Sequence, residues 1–554
     1  MAYAPVPESV VATEALVATG MLPMLLLASA ALTAPVSLFL LSLYRRAVLR
    51  VMALRAGTGP TRTQTGGVAS PTPVALEIKV VDSGAIDAVA LPQYDRAVHS
   101  LVTATVIYVA AGFAYAVVLT SPWLLFPGDE GMPFARVLWL MSCYLWPTAL
   151  AAGMLIAVSR GQRALVSIAY FSMLFAVALY GVFERSQVTV GDLATFWLLT
   201  NAPATLLLLA FLHRRVRAVG PLVLSFMVTA VIGSQLLLSL TGPGDARGTG
   251  LWLALLVLGF ALFGVAGWSF LKLLGRWYEQ RRMSDQSLTL DAMWLLFGVV
   301  QSITFPSQSL TWVFTGLLGF GVYKIVSRAG FAVAGFPRRD AASPMLLLLR
   351  VFALGGKSER LFDALSKRWL RAGGICMIAG PDLAATTVEP HEFLDYMAGR
   401  LSRRFVSGGE DLDRRLRAVE RDPDPDGRYR VNEFFCYADT WQPTMTKLAA
   451  GADAVLMDLR SFSRSNQGCI FELQQLLDSV PLDRVALLID DSTDRVFLET
   501  VLQEAWHRVD TASPNRTLAA PQARLLRVSE EKSADIRGAL KLLLAGSSIQ
   551  RQPA

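Results

Sequence analysis

Up to about residue 330 the chain consists of long apolar blocks separated by short polar breaks. From Pro344 it changes to short apolar runs alternating with amphipathic stretches. The first pattern predicts membrane-crossing helices at roughly Ala15–Tyr44, Leu101–Phe126, Val137–Val158, Ala164–Phe183, Leu193–Leu212, Pro221–Leu240, Leu251–Leu274, Leu288–Phe305 and Trp312–Val326. Each is near the ~20 residues a helix needs to cross the hydrocarbon. Nine spans are expected, or eight or ten if the Leu288–Val326 region is re-entrant. The second pattern predicts strands at Met345–Phe352, Ile375–Ala379, Arg428–Tyr437, Ala454–Leu459, Val485–Ile489 and Leu525–Val528. Between them fall helices at Lys357–Ala372, Pro390–Phe405, Asp411–Glu420, Trp441–Ala450, from about Cys469, Arg495–Trp506 and Ala534–Leu544. Strands alternating with helices imply a mainly parallel sheet covered on both faces. Val74–Val81, between the first two spans, alternates as one strand available to pair with that sheet.

The expected layout is a multi-span α-helical membrane domain followed by an α/β domain. Residues 1–56 carry the first span and a basic flank, and 57–97 form a loop opening on a Gly/Thr/Pro-rich stretch. Residues 98–330 form the rest of the bundle, 344–545 the α/β domain and 546–554 a tail.

Composition supports the membrane reading: 53% of the residues are hydrophobic and the mean hydropathy is +0.44. The net charge of +7 suggests nucleic acid until the positions of the basic residues are considered. Arg45, Arg46, Arg50 and Arg55 follow the first span, Arg160 and Arg163 the third, Arg214, Arg215 and Arg217 the fifth, and Arg276, Arg281 and Arg282 the seventh. Arg328, Arg338 and Arg339 follow the last. Such clustering is a topology signal. It places the N-terminus outside and the C-terminal domain in the cytoplasm of an inner (cell) membrane, with the bilayer rather than nucleic acid as partner. Lys272, Asp291 and Lys324 are read close to span ends, so charges at mid-span, the mark of an ion path, are not expected.

Cys143, Cys376, Cys436 and Cys469 make no C-x-x-C pair, and four scattered histidines make no metal cluster, so no metal site is expected. Gly355-Gly356-Lys357-Ser358 lies between a strand and a helix. A Walker A loop requires glycine where Val351 stands, which excludes that motif. The backbone amides there, with Lys357, suit a phosphate; a plain strand-to-helix turn is the alternative. Asp422, Asp424, Asp426, Gly427 and Glu433 match the calcium-loop pattern D-x-D-x-D-G-x5-E. Pro423 and Pro425 remove backbone donors, and Arg428 and Arg430 bring positive charge, so a charged turn is the expectation.

The stretch that carries most chemistry is Ala449–Leu477. A buried strand, Ala454–Leu459, leads into a Ser-, Asn- and Gly-rich loop, and a helix beginning near Cys469 puts Glu472 in its first turn. Ligands of open α/β sheets bind at this carboxyl edge. A first-turn glutamate is also simply favoured by the helix dipole.

Strand, Ser-containing loop and then Cys469, Glu472 and Leu473 resemble the Toll/interleukin-1 receptor (TIR) domain, with Gly468 in place of the tryptophan usual before the cysteine. Ala452, Asp453, Asp458, Leu459, Gly468, Phe471, Glu472 and Leu473 also resemble the nucleoside 2-deoxyribosyltransferases, with Cys469 where threonine stands in that family. The resemblance implies a TIR/flavodoxin-like fold. In both families a glutamate at this position acts on an N-glycosidic bond of a ribosyl compound. It further implies Glu472 as the acting carboxyl, NAD or a related nucleotide as substrate, and homo-oligomer formation through the domain. Gly355, Gly356, Lys357 and Ser358 are candidates for a pyrophosphate, and Phe352, Phe462 or Trp441 for stacking on a base. The rival expectations are a non-catalytic TIR-like scaffold and a transporter or channel with a regulatory nucleotide-binding domain.

Overall fold

The structure, a computed structural model, describes residues 21–54, 74–81, 86, 91–125, 134–156, scattered residues between 162 and 195, 202–211, 213–240, 249–302, 314–337, 343–350, 356–380, 388–528 and 533–548. The chain divides into two compact units.

The first unit is helical. Among the described residues it takes α1 (Met21–Ala53) as far as Leu41, α2 (Pro92–Leu125) from Thr103, α3 (Phe134–Ile156), α4 (Ala202–Phe211), α5 (Arg214–Leu240), α6 (Thr249–Glu279), α7 (Asp285–Ser302), α8 (Thr315–Val333) and the later segment Glu389–Leu394. The strand β1 (Glu77–Val81) lies between α1 and α2 in sequence. Four helices among the described residues, Pro92–Leu125, Arg215–Leu238, Gly250–Glu279 and Thr315–Val333, are long and apolar enough to cross a membrane. Arg136–Leu145 and Pro147–Ile156, bent by 40° at Pro147, make a fifth if taken as one span. The spans expected at Ala164–Phe183 and Leu193–Leu212 fall in part outside the described residues; of the second, Ala202–Phe211 is described and helical.

Only 11% of the apolar window of α6 is buried within the protein, and Leu253, Val257 and Phe260 point outward. A bare face of this kind suits lipid rather than a protein core. The interior is aromatic. Trp294 packs against Tyr115 at 4.7 Å and Tyr323 at 5.5 Å between ring centres. Helices α7 and α8 touch backbone to backbone. A Cβ on Gly298 would stand 2.7 Å from the Gly316 carbonyl oxygen, and Ser302 Oγ accepts the Gly316 N–H at 2.9 Å.

Lys324 corrects an expectation. The sequence places it beside a span end, yet α8 continues to Val333 and makes Lys324 its central residue. Its ammonium meets the Asp291 carboxylate of α7 at 2.6 Å. The pair joins α7 to α8 with both side chains part-buried.

The second unit holds the sheet: β2 (Met345–Arg350), α9 (Gly356–Trp369), β3 (Gly374–Ile378), α10 (Pro390–Met397), β4 (Phe405–Val406), α11 (Gly409–Arg417), β5 (Val431–Cys436), α12 (Trp441–Ala450), β6 (Ala454–Asp458), α13 (Gln467–Ser479), β7 (Val485–Ile489), α14 (Arg495–His507), β8 (Gln522–Arg527) and α15 (Ser533–Ser548). Eight strands pair in the order β1-β8-β7-β6-β2-β3-β5-β4, every pairing parallel. Parallel strands bury both faces, which explains the unbroken runs MLLLLR, AVLMD and VALLI. Leu347, Val455 and Leu487 face a core shared with α12, α13 and α14. Leu346, Leu456 and Leu488 face a second core shared with α9 and α15. The chain leaves β2 toward β3 on one side and returns to β6 on the other. The carboxyl ends of β2 and β6 are therefore the point at which the winding reverses, where such sheets take their ligands.

Strand β1 completes the sheet from outside the C-terminal sequence. It pairs with β8 from Glu77↔Gln522 to Val81↔Leu526, and Leu76 beside it is 3% exposed in the first core. Deleting a buried leucine side chain costs about 2–5 kcal/mol. Leu76→Ala is therefore expected to lower the stability of this unit by that order and to quicken hydrogen exchange of the β8 amides. Unchanged β8 protection would contradict the placement of the strand.

Candidate functional site

At the carboxyl end of β2 and β6 the apolar runs stop and charge begins. The strand register places Arg350 beside Asp458. Arg350 is 4% exposed, Asp458 1% and Arg460 0%. Arg460 folds back on the strand it has just left. Its Nε donates to Asp458 Oδ1 and its Nη2 to Asp458 Oδ2, both at 2.8 Å, and its backbone N–H adds a third bond to Oδ1 at 3.2 Å. A two-pronged pair of this kind is the arrangement in which a buried arginine and carboxylate neutralise each other best. The turn that permits it passes through Ser461 at φ 59°, a left-handed conformation that costs a non-glycine residue roughly 1–2 kcal/mol.

Glu472 lies on α13, the helix that follows this turn. The helix begins at Gln467 rather than near Cys469, so Glu472 falls in the second turn and not the first. The helix-dipole explanation of the residue therefore weakens, because that effect fades beyond the terminal turn. Its side chain faces inward beside Cys469 and Leu473, is 4% exposed, and its Oε2 meets no hydrogen-bond partner among the described residues. Burial pushes the carboxyl up to about 8, against the opposing pull of the Arg350 guanidinium. At neutral pH Glu472 is thus mostly the uncharged acid.

The other sequence candidates divide. Gly355 and Phe352 lie outside the described residues. Gly356 and Lys357 open α9, which follows β2, so that helix start and the loop leading to α13 belong to neighbouring strands. Ser358 is 2% exposed and its Oγ also meets no partner among the described residues. An amide-rich helix start with a buried hydroxyl fits a phosphate group in chemistry. Two stacking candidates are engaged elsewhere: Phe462 is fully buried against Phe497, with ring centres 5.6 Å apart, and Trp441 meets Phe471 edge-on at 5.4 Å. Cys469 is no nucleophile, because burial and then the fields of Glu472 and Asp458 raise its thiol far above neutrality.

The calcium-like loop is closed by an arginine. Arg430, 4% exposed, binds Asp424 at 2.8 Å and Glu420 at 3.1 Å, while the Arg371 guanidinium donates to the Asp426 carbonyl. Asp424 is itself pushed up to about 7 by burial, against the pull of Arg430. A guanidinium thus engages Asp424, one carboxylate of the pattern, within a buried ion network just before β5.

One group missed by the sequence reading brings metal-type ligands together: Glu389, His391 and Glu392 have ligand atoms within 4.8 Å of one another. They stand at the start of α10. The Glu392 carboxylate accepts the Glu389 N–H at 3.0 Å, the capping contact of a first turn, and His391 stacks on Tyr278 at 5.7 Å. No family model matches the chain, and comparison with curated proteins and with solved structures finds no match.

A buried acid with a raised pKa fixes the sign of a stability effect. Between about 4.5 and about 8 the folded protein holds a proton on Glu472 that the unfolded chain has released. Stability therefore falls as pH rises through that window, by up to about 1.4 kcal/mol per pH unit. Glu472→Gln removes this penalty. The variant is expected to melt above the wild type at pH 8 and level with it near pH 4.5. A variant that melts lower throughout would show that Glu472 makes a stabilising ionised contact.

Proposed function

We propose that this chain is a membrane-anchored protein whose second unit, flavodoxin-like in strand order and TIR-like in the β6–α13 stretch, cleaves the N-glycosidic bond of NAD or a related nucleotide. Glu472 is the acting carboxyl. The observation that carries the reading is Glu472 itself: a buried carboxyl with an unpartnered oxygen on the helix that follows the winding reversal. Structural roles do not require an acid at such a place, since a leucine or glutamine is cheaper to bury.

The chemistry follows from charge. Breaking a ribosyl–nicotinamide bond builds positive charge on the sugar, which a carboxylate stabilises or attacks. The uncharged acid of the resting domain does neither. Two influences favour its ionised form: a pH near or above about 8, and the cationic nicotinamide ring of the substrate placed beside it. Because Glu472 is 4% exposed, the residues above it must also part before a substrate arrives. Assembly of several copies in a membrane is the means of activation in this reading. The amides at the start of α9 and the Ser358 hydroxyl serve the pyrophosphate.

One observation favours a second reading. The Asp291–Lys324 pair puts charge at the centre of an apolar helix, where transporters and channels keep their working residues. In that case the sheet unit regulates passage, and Lys324→Met abolishes flux in liposomes while leaving nucleotide chemistry absent.

The lead reading has a direct assay. Full-length protein clustered at high density in liposomes should consume NAD, faster as pH rises toward 8. Glu472→Gln should reduce turnover by about 10²–10³-fold, the usual cost of one transition-state electrostatic contact. NAD left intact by clustered wild type would favour the scaffold. Cleavage untouched by Glu472→Gln would remove Glu472 from the mechanism.

A further inference from the structure

The interior of the first unit holds polar groups that its packing does not use. Tyr115 and Tyr323 are fully buried and Thr148 is 5% exposed, yet the hydroxyl of each meets no hydrogen-bond partner among the described residues. A buried hydroxyl without a partner is costly, and three in one apolar bundle call for something that bonds to them. They lie together. Trp294 of α7 packs on the Tyr115 ring of α2 and on the Tyr323 ring of α8. Thr148 of α3 reaches the same place: a Cβ on Gly112 of α2 would stand 2.4 Å from Thr148 Oγ1 and 3.0 Å from the Trp294 ring. The groups also form a line. At one end the Tyr144 hydroxyl accepts the Trp123 Nε1–H at 3.3 Å, and Tyr144 is within electrostatic reach of Tyr115. The Tyr115 hydroxyl stands beside the Gly298–Gly316 contact, 3.4 Å from where Gly298 would carry a Cβ. At the other end Tyr323 is within electrostatic reach of Asp291, the carboxylate paired with Lys324. Along α7 and α8 the ion pair and the glycine contact are roughly 10–12 Å apart, at ~1.5 Å of rise per residue.

We propose that Tyr144, Tyr115 and Tyr323 are a proton relay that ends on the Asp291–Lys324 pair, and that the species the first unit carries is the proton. The inference rests on the second reading above, in which this unit is a path, and names what travels along it. A hydroxyl both accepts and donates a hydrogen bond, which handing on a proton requires and a path for a metal cation or an anion does not. The interior between these groups is filled by rings and by a backbone-to-backbone glycine contact, so a proton, passed over single water molecules, needs the least room. Each oxygen along the line accepts one proton and gives up the one it held, and none changes its charge. Asp291 takes up the last proton and becomes neutral, its contact with the Lys324 ammonium loosens, and Lys324 keeps its charge. Loss of the proton from Asp291 toward the start of α7, at Asp285 about 9 Å away, restores the pair.

Liposomes carrying the full-length protein test it. With a potassium gradient and valinomycin imposing a membrane potential, a trapped pH dye should report proton entry, and trapped sodium and chloride dyes no entry of those ions. Asp291→Asn should abolish the proton flux. Tyr115→Phe and Tyr323→Phe keep the rings and their packing and remove only the hydroxyls, and each should slow proton entry several-fold. Sodium or chloride entry without proton entry would overturn the proposal and leave the second reading standing. No flux of any of the three ions would overturn both. Proton entry unchanged in both tyrosine variants would remove the relay, since a purely structural role for the rings predicts that result.

Discussion

Parallel strands set the terms for the second unit. A sheet buried on both faces leaves polar chemistry only its ends, and the ends of β2 and β6 carry Arg350, Asp458, Arg460 and Glu472 in a place that water scarcely reaches. Three of these groups are accounted for by opposite charge: Asp458 and Arg460 grip each other two-pronged, and Arg350 lies beside Asp458 in the register. Glu472 is left as the uncharged acid because the low-dielectric surroundings penalise its ionisation more than one nearby guanidinium favours it.

Much of this architecture was legible in the sequence, and for a definite reason. Runs such as MLLLLR and VALLI are apolar at every position, which only a strand covered on both faces requires, so the central strands stand out. The two-residue β4 has too little pattern to read. The alternation of residues 74–81 marks β1 as a strand, but alternation carries no information about its neighbour. The choice of β8 is made by the Trp506 and Gln503 side chains, far away in sequence. The end of α8 was misjudged because Ser327 and Arg328 read as a polar boundary, whereas the helix continues until its carbonyls are capped near Ala334.

The site was legible in part. Glu472 was visible as the acid after the β6 loop, but an acid is expected on the exposed side of a helix, whereas Glu472, three residues after Cys469 and four before Leu476, shares their inward face. Asp458 reads as an interruption of the strand and Arg460 as the start of the loop after it, and only the fold shows one gripping the other. The acidic calcium-like loop has the opposite lesson. Its spacing is complete, but Arg430, which the sequence shows merely as an adjacent positive charge, is paired with Asp424, one of its carboxylates.

The account depends most on Glu472 being an acid held uncharged at the reversal of the sheet. Its ionisation can be observed directly, by infrared difference spectroscopy of the carboxyl stretch in the full-length protein, with Glu472→Gln identifying the band. The account predicts a protonated carboxyl at neutral pH that ionises near about 8. A Glu472 carboxylate already ionised at pH 6 would contradict it, and would make the residue one more partner in the charge pairing of this edge.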